Sequence, residues 1–425
     1  MLTGPALPAE RPRRLPIVLP RAPNVILVVA EGLGFGHLGC YGQKLIKTPN
    51  LDRMAAEGVR FADYYAGGAT CRESRYCLLT GRRAPRASTN DIHTPHLKAK
   101  DWTMASMLKQ AGYSTAVFGT WLIGSKDSGT APTQKGFDEW FGFLDPSHAL
   151  EAYPKFLWRN DIKVGIPKNE SGAKAVYAND FFIQAALNFV RLNAKKPFFL
   201  LLSFSNPDPE TGLASNAPYG GEKWPAKNKS TAAMITRMDS NVGALLAQLK
   251  ELRIDQHTAV FFISDHGPLD VEKNQADLFQ STGSFRWDGG DLSEGNIRVP
   301  LIAHWPGRFQ TNRVSSNPAA VWDLVPTVVE IANMSAPPEG LGASLLPDLR
   351  GEKVRDRGPL LWQLQNGTNL VHAVRSGPWK GVRRGGLAPI ELYDLRSDPG
   401  ERHNVAETNP ERAAQLEELI KRGTK

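Results

Sequence analysis

The stretch NVILVVAEGLGFG, from Asn24 to Gly36, decides how the rest of this sequence is interpreted. It begins with a short run of β-branched and apolar residues and ends in closely spaced glycines. This pattern is typical of a buried parallel strand that delivers a loop at its carboxyl end. Because open α/β sheets place their chemistry at those carboxyl ends, we expect a functional site directly after this strand.

The same alternation of helix and strand recurs along the chain. The segment TMASMLKQAGYSTAVFGTW, which begins at Thr103, predicts a helix, a stop at Gly112 and then a strand. The segments KKPFFLLLSF and TAVFFISDHG predict two more buried strands, and an amphipathic helix with Met234, Val242 and Leu249 on its apolar face precedes the second. Repeated βα units predict an α/β fold with a mostly parallel central sheet that helices cover on both faces.

The pattern changes near residue 360. The segments AVRSGPWKGVRRGG and IELYDLRSDPGERHNV read as short strands interrupted by polar turns, and NPERAAQLEELIKR reads as an amphipathic final helix. We therefore predict a small C-terminal antiparallel sheet plus a helix. This subdomain, residues 356–425, is expected to pack on a main α/β domain of residues 23–355.

Residues 1–22 are predicted to form an extended, Pro/Arg-rich arm. Prolines recur in it every few residues, and proline disfavours both helices and central strands. Such an arm can bind a protein partner or can be a leader without one, and the sequence leaves both interpretations open. No signal-peptide core is visible in it, and no apolar run in the chain reaches the length of a membrane-spanning helix.

The formal net charge of +8 favours anionic partners, such as an anionic surface or a sulfated glycan. The basic residues are spread along the chain without a block of interleaved aromatic residues, so we expect no nucleic-acid binding. Three cysteines, Cys40, Cys71 and Cys77, are too few for a disulfide framework.

The segments PNVILVVAEGLGFGHLGCYG and CRESRYCLLTGR, followed by FFISDHG, EGNIRVPLIAHWPG and ELYDLRSDPGERHN, carry a resemblance to a known family. In this order they resemble the motifs of the sulfatase family, within the alkaline-phosphatase-like superfamily. The second segment resembles the family signature C-x-P-S-R-x-x-L-L-T-G-R. The resemblance implies the fold described above and chemistry on sulfate esters. It also implies export to the periplasm or the cell exterior, although the sequence itself does not settle the compartment.

The resemblance implies that Cys71 is the position of the nucleophile and that Arg75 is the signature arginine. In the family this cysteine is oxidised to formylglycine, whose hydrated aldehyde attacks the sulfur atom. The converting enzyme reads a proline two residues after the cysteine, and this chain has Glu73 there. From the residues alone, Cys71 is either a nucleophile activated by a helix N-terminus and Arg75, or a buried and inert cysteine.

The resemblance also implies a divalent cation, usually calcium, near Cys71. Where the family has paired aspartates, this chain has Glu31 and Gly32, and Asp265 and His266 occupy the positions of the other ligands. Glu31, Asp265 and His266 suit a softer ion better than calcium, so we predict a weak or empty site. The alternative interpretation of Asp265 is a carboxylate at a strand end that caps the next turn.

Four positions at which the family has cationic or proton-donating side chains carry other residues here. They are Thr120, Leu122, Asp208 and Gly289. Removal of one preorganised donor typically costs about 10²–10³ in rate. From these changes we predict a degenerate active site: a pseudo-sulfatase that is catalytically inactive and serves as a binding or structural subunit of a larger assembly. The alternative is a sulfuric or phosphoric ester hydrolase with an atypical metal site around Cys71.

Overall fold

The computed structural model describes residues 21–84, 97–205, 213–268, 278–289, 291–335, 340, 342–366, 369–386 and 388–423. Nearly all of the predicted N-terminal arm and the position of Asp208 lie outside these residues. None of the described helices is both long enough and apolar enough to cross a membrane.

The described strands, in chain order, are β1 (Asn24–Ala30), β2 (Val59–Phe61), β3 (Tyr64–Tyr65), β4 (Ser114–Thr120), β5 (Glu139–Phe143), β6 (Phe156–Arg159), β7 (Ile162–Gly165), β8 (Phe198–Phe204), β9 (Thr258–Ser264), β10 (Leu301–His304), β11 (Arg313–Ser315), β12 (Ala319–Ala320), β13 (Leu360–Asn366), β14 (Asn369–Ser376), β15 (Trp379–Arg384) and β16 (Glu391–Asp394). The described α-helices are α1 (Pro49–Ala56), α2 (Cys71–Thr80), α3 (Met104–Gln110), α4 (Pro146–Ala149), α5 (Ala178–Asn193), α6 (Ala226–Glu251), α7 (Glu294–Ile297), α8 (Leu324–Ile331), α9 (Leu346–Leu349) and α10 (Pro410–Gly423).

The central sheet has the strand order β11-β2-β10-β9-β1-β8-β4-β5-β6-β7. Its middle strands, β9, β1, β8, β4 and β5, run parallel. Successive residues of β1 enter opposite cores: Val25, Leu27 and Val29 lie in one hydrophobic cluster, and Ile26 and Val28 lie in another. Both faces of the sheet are therefore covered, which confirms the predicted α/β fold.

The antiparallel strands of this sheet were not predicted. Strand β10 pairs antiparallel with β9 on one side, and β6 and β7 extend the other side antiparallel beyond β5. Strand β10 is only four residues long and is buried throughout, so its sequence lacks the alternation that would reveal an antiparallel strand.

The predicted C-terminal antiparallel sheet is confirmed, with the order β13-β14-β15-β16. Helix α10 packs on it, and Leu392 of β16 shares a buried cluster with Leu416 and Ile420 of α10. The boundary proposed near residue 355 stays a prediction.

The parallel strands position the candidate site. In the registers of β1 with β8 and with β9, Ala30 lies beside Phe204 and Ser264. Glu31 and Asp265 follow directly after β1 and β9, so their side chains start from adjacent strand ends. The expectation that polar residues gather at the carboxyl edge of this sheet rests on the same geometry.

Candidate active site

Helix α2 carries Cys71 in its first turn and Arg75 one turn later. Thr70 is the residue that caps the helix: its hydroxyl accepts a hydrogen bond from the backbone N–H of Glu73 at 3.4 Å, and its own N–H donates to Glu73 Oε2 at 3.2 Å. This reciprocal pair is a capping box, which stabilises a helix start. The carboxylate at the signature's proline position therefore has a structural use in this chain.

Arg75 is buried and joins the ends of several strands. Its Nε donates to Asp265 Oδ2 at 3.1 Å, and its Nη1 donates to the Thr120 carbonyl at 2.6 Å and to Ser203 Oγ at 2.7 Å. Its Nη2 lies 3.7 Å from Glu31 Oε2 and donates no hydrogen bond within the described residues. One side chain thus connects segments that follow β1 and β9 with the ends of β4 and β8.

Asp265 is almost completely buried, and each of its carboxylate oxygens is engaged. Oδ1 accepts from the backbone N–H of Gly32 at 3.1 Å, and Oδ2 accepts from Arg75. Gly32 has a positive φ of 61°, a conformation that glycine adopts at little cost. The carboxylate therefore fixes the turn after β1 as well as the arginine.

His266 is buried beside Asp265, and its protonation pattern follows from its contacts. Nδ1 lies 2.6 Å from the Gly267 carbonyl, and because a carbonyl only accepts, Nδ1 carries the proton. Nε2 lies 3.6 Å from Asp265 Oδ1. Nε2 is therefore the ring nitrogen that faces the Asp265 carboxylate, while Nδ1 points to the Gly267 carbonyl.

The Cys71 side chain is half-buried at this centre. Burial raises the pKa of its thiol well above the usual range, and the carboxylates of Glu31 and Asp265 raise it further, while the charges of Arg75 and Arg72 oppose this rise. The thiol form therefore predominates at neutral pH, whereas the thiolate is the nucleophilic form of cysteine. The environment does not activate Cys71 as a thiolate.

The described residues do not fit the calcium that the family resemblance implies. Calcium takes six to eight oxygen ligands, roughly, with carboxylates prominent among them. Gly32 offers no side chain, both oxygens of Asp265 are engaged, and Glu31 faces Arg75. Within the described part of the chain, no group of three or more His, Cys, Asp and Glu side chains is arranged to hold a metal ion.

Other residues occupy the positions at which the family has cationic or proton-donating side chains. Thr120 is buried, and its hydroxyl shares a hydrogen bond of 2.9 Å with Ser203 Oγ. Leu122 is buried with a positive φ of 65°, which is rare for a residue with a side chain. Gly289 lies in a loop with a φ of 64°, and Asp208 lies outside the described residues.

Lys126 and Arg286 are close in sequence to these positions, but their side chains contact other residues. The Nζ atom of Lys126 donates to the Asp161 carbonyl at 2.8 Å and lies 4.1 Å from the centre of the Trp158 ring. Arg286 donates to the Tyr393 hydroxyl at 3.3 Å and to the carbonyl of Glu401. The cations that act on Cys71 are instead Arg75 and Arg72.

Sequence reasoning missed several polar residues at this edge. Ser203 is the one polar residue in the buried run FFLLLSF of β8, a signal that points to a specific hydrogen-bond partner. A cavity of about 50 Å³ borders Glu31, and His37, Asn179 and Ser205 help to line it. Asn179 donates to the Ser205 carbonyl at 3.0 Å, so it fixes the chain where it leaves β8.

Comparison with known proteins agrees with the fold. The sequence profile of the Sulfatase family matches residues 23–334, and a profile described as N-sulphoglucosamine sulphohydrolase, C-terminal, matches residues 283–424. The chain belongs to the sulfatase family, a family of sulfuric ester hydrolases.

Two relatives and one solved structure illustrate the similarity. N-acetylgalactosamine-6-sulfatase of Canis lupus familiaris is 31% identical over 391 residues, covering 85% of this chain and 72% of the relative. Steryl-sulfatase of Mus musculus is 29% identical and covers 90% of this chain and 78% of the relative. The crystal structure of Ps i-CgsB in complex with k-i-k-neocarrahexaose has a TM-score of 0.82 at 24% identity, covering 95% of this chain and 92% of that one.

The prediction that the chain is an inactive binding or structural subunit is wrong. Relatives that it matches over most of its length are sulfatases by name, and nothing in these comparisons indicates loss of activity. The error came from equating four changed positions with loss of the reaction. The alternative, a sulfuric ester hydrolase, agrees better with these relatives.

Proposed function

We propose that this protein hydrolyses sulfate esters with an atypical centre in which residue 71 supplies the nucleophile. The observation that carries the proposal is the position of Cys71, which lies in the first turn of α2 beside buried Arg75 and at the carboxyl edge of the sheet. The N-terminus of a helix and a guanidinium both favour an anion at that point.

The family resemblance supports a particular form of the nucleophile. In the family, a separate enzyme oxidises the cysteine to formylglycine, and one oxygen of the hydrated aldehyde bonds to the sulfur while the bond from sulfur to the ester oxygen breaks. The alcohol leaves with a proton, and release of sulfate restores the aldehyde. Because its surroundings keep the unmodified thiol protonated, residue 71 depends on this oxidised form to act as a nucleophile.

Among the described residues, two carboxylates and two guanidinium groups supply the charges that act at the centre. The carboxylates of Glu31 and Asp265 oppose the guanidinium groups of Arg75 and Arg72, and all four act on residue 71. The Nη2 of Arg75, which donates no hydrogen bond within the described residues, is the donor that we assign to an oxygen of the sulfate group. A buried donor that is already oriented stabilises negative charge more strongly than one in water.

Sulfated carbohydrates are the substrate class that we propose. One relative is named for a sulfate on N-acetylgalactosamine, and the solved structure at TM-score 0.82 is described with neocarrahexaose. A net charge of +8 attracts polyanionic glycans at long range.

Turnover by the purified protein tests this function. N-acetylgalactosamine-6-sulfate and p-nitrophenyl sulfate serve as substrates, with p-nitrophenyl phosphate for comparison, and peptide mass spectrometry reads the chemical form of residue 71. We expect sulfate release that C71A abolishes. The matched control is C40A, because Cys40 is also half-buried but lies outside the centre.

Two results would contradict the proposal. A folded wild-type protein that carries an unmodified thiol and releases no sulfate from any of these esters would exclude the activity. Equal turnover by C71A and the wild type would exclude residue 71 as the nucleophile. Faster turnover of the phosphate ester would place the chain on the phosphoric ester side of the alternative.

A further inference from the structure

We infer that the guanidinium of Arg75 takes the place that a divalent cation has in related enzymes, so that this protein holds its carboxylates at the sheet edge without calcium. The inference concerns metal content and stability, and it stands or fails independently of the proposed activity. It starts from the mismatch between the expected cation and the side chains present.

The first argument is the supply of oxygen ligands. Of the two positions that follow β1, Gly32 has no side chain, and its backbone N–H donates a hydrogen bond to Asp265 Oδ1. The other oxygen of Asp265 accepts from Arg75 Nε at 3.1 Å. Each oxygen of Asp265 thus already accepts one hydrogen bond, which leaves only the second lone pair of each oxygen for a calcium ion.

The second argument is the rigidity of the arginine. Its Nη1 donates to the Thr120 carbonyl at 2.6 Å and to Ser203 Oγ at 2.7 Å, and the Ser203 hydroxyl is held in turn by Thr120 Oγ1. All three residues are buried, so the guanidinium cannot swing into solvent to make room for an ion. The positive charge is therefore fixed between the carboxylates.

The third argument is charge. Asp265 contacts the guanidinium directly, and Glu31 Oε2 lies 3.7 Å from Arg75 Nη2. A dication bound to the same carboxylates would lie close to a fixed positive charge, and like charges repel strongly where burial excludes water. His266 does not offset this repulsion, because an imidazole side chain carries no negative charge.

Metal analysis and thermal unfolding test the inference on the whole chain of 425 residues. Native mass spectrometry and elemental analysis measure bound calcium, and the melting temperature is recorded with a chelator and with millimolar calcium. We expect no stoichiometric calcium and the same melting temperature in both conditions. Ligands that bind only the folded state raise the melting temperature, so a resident calcium would be visible there.

Two variants test the role of Arg75 itself. R75Q removes the charge but keeps a hydrogen-bonding side chain, and we expect it to be less stable and to gain a melting-temperature rise with calcium. R82Q is the matched control, because Arg82 follows the same helix and pairs with Asp101 at 3.8 Å. If R75Q does not fold, the calcium content of the wild type and its melting temperature with and without the chelator still decide the inference.

The outcomes separate clearly. A calcium response in R75Q, with none in the wild type or R82Q, supports the inference. One calcium ion retained by the wild type, or a drop in its melting temperature on chelation, overturns it. If folded R75Q shows no rise in melting temperature with calcium, like the wild type, the assignment to Arg75 is contradicted.

Discussion

The ammonium group of Lys380 lies 2.9 Å from a carboxylate oxygen of Glu294, and both side chains are completely buried. Lys380 belongs to β15 of the C-terminal sheet, whereas Glu294 begins α7, which precedes β10 of the main sheet. A second carboxylate, Glu401, lies 2.8 Å from the same ammonium. One buried lysine therefore joins the C-terminal sheet to the segment that precedes β10.

Loss of the Lys380 charge should be strongly destabilising. In K380M the carboxylates of Glu294 and Glu401 lose their shared partner in a buried place, and removal of one partner of such a pair typically costs about 3–5 kcal/mol. Urea unfolding measures the change. The control K250M breaks the half-exposed pair of Lys250 with Glu57, at 3.6 Å, and should cost less than about 1 kcal/mol. If K380M and K250M lower the free energy of unfolding equally, burial does not strengthen the contribution of the Lys380 pairs.

The same pair predicts acid sensitivity. Burial alone would raise the pKa of Glu294, but the charges of Lys380, Arg298 and Arg375 outweigh it and lower the pKa from 4.5 to about 2. A lowered folded-state pKa contributes stability that is complete above 4.5 and is lost as the pH falls toward 2. Chemical unfolding across this window should show a loss of a few kcal/mol in the wild type. Because residue 294 cannot titrate in E294Q, the free energy of unfolding of this variant should fall less steeply as the pH decreases.

Glu73 predicts the opposite dependence at higher pH. Burial raises the pKa of Glu73 from 4.5 to about 7, although its hydrogen bonds with Thr70 oppose the rise. A raised folded-state pKa means that its favourable contribution is complete below 4.5 and is lost as the pH rises through 7. The free energy of unfolding should fall across this range in the wild type, and E73Q should be flatter. An unchanged slope in E73Q would assign the dependence to another group.

The fold was more predictable than the site, and the reason is physical. Continuous apolar runs and the placement of glycines predicted the parallel strands. A strand that is buried on both faces is apolar along nearly its whole length, as β8 is. The partners of Arg75 come from four separate segments, and no local pattern predicts that Ser203 and the Thr120 carbonyl meet it. Lys380 was equally hidden, since a lysine in a short strand is indistinguishable from a solvated one until its partners are known.

Gly119 should not tolerate a side chain. It has a φ of 115°, and a Cβ atom there would lie 1.7 Å from the Ser203 carbonyl oxygen on the neighbouring strand β8. G119A should therefore separate β4 from β8 and lower the melting temperature sharply, or yield insoluble protein. In G165A, where a Cβ would meet nothing within 4 Å, stability should change by less than about 1 kcal/mol. Comparable stability of the two variants would mean that β4 and β8 are not this closely packed.

Arg72 should affect catalysis more than stability. Its charge acts on residue 71 from the first turn of α2, and its side chain is only half-buried. If the centre binds a sulfate group, R72Q should lower kcat/KM for p-nitrophenyl sulfate by about 10–10² and leave the melting temperature nearly unchanged, because the half-buried Arg72 supplies one of the two positive charges that act on residue 71. Steady-state kinetics at several salt concentrations measure this, since screening weakens the wild type more than a variant that lacks the charge. R82Q serves again as the control, because Arg82 lies beyond the other end of α2, 4.9 Å from the centre of the Trp102 ring. A kcat/KM of R72Q equal to that of R82Q would remove Arg72 from the binding of the sulfate group and leave Arg75 as its cation from α2.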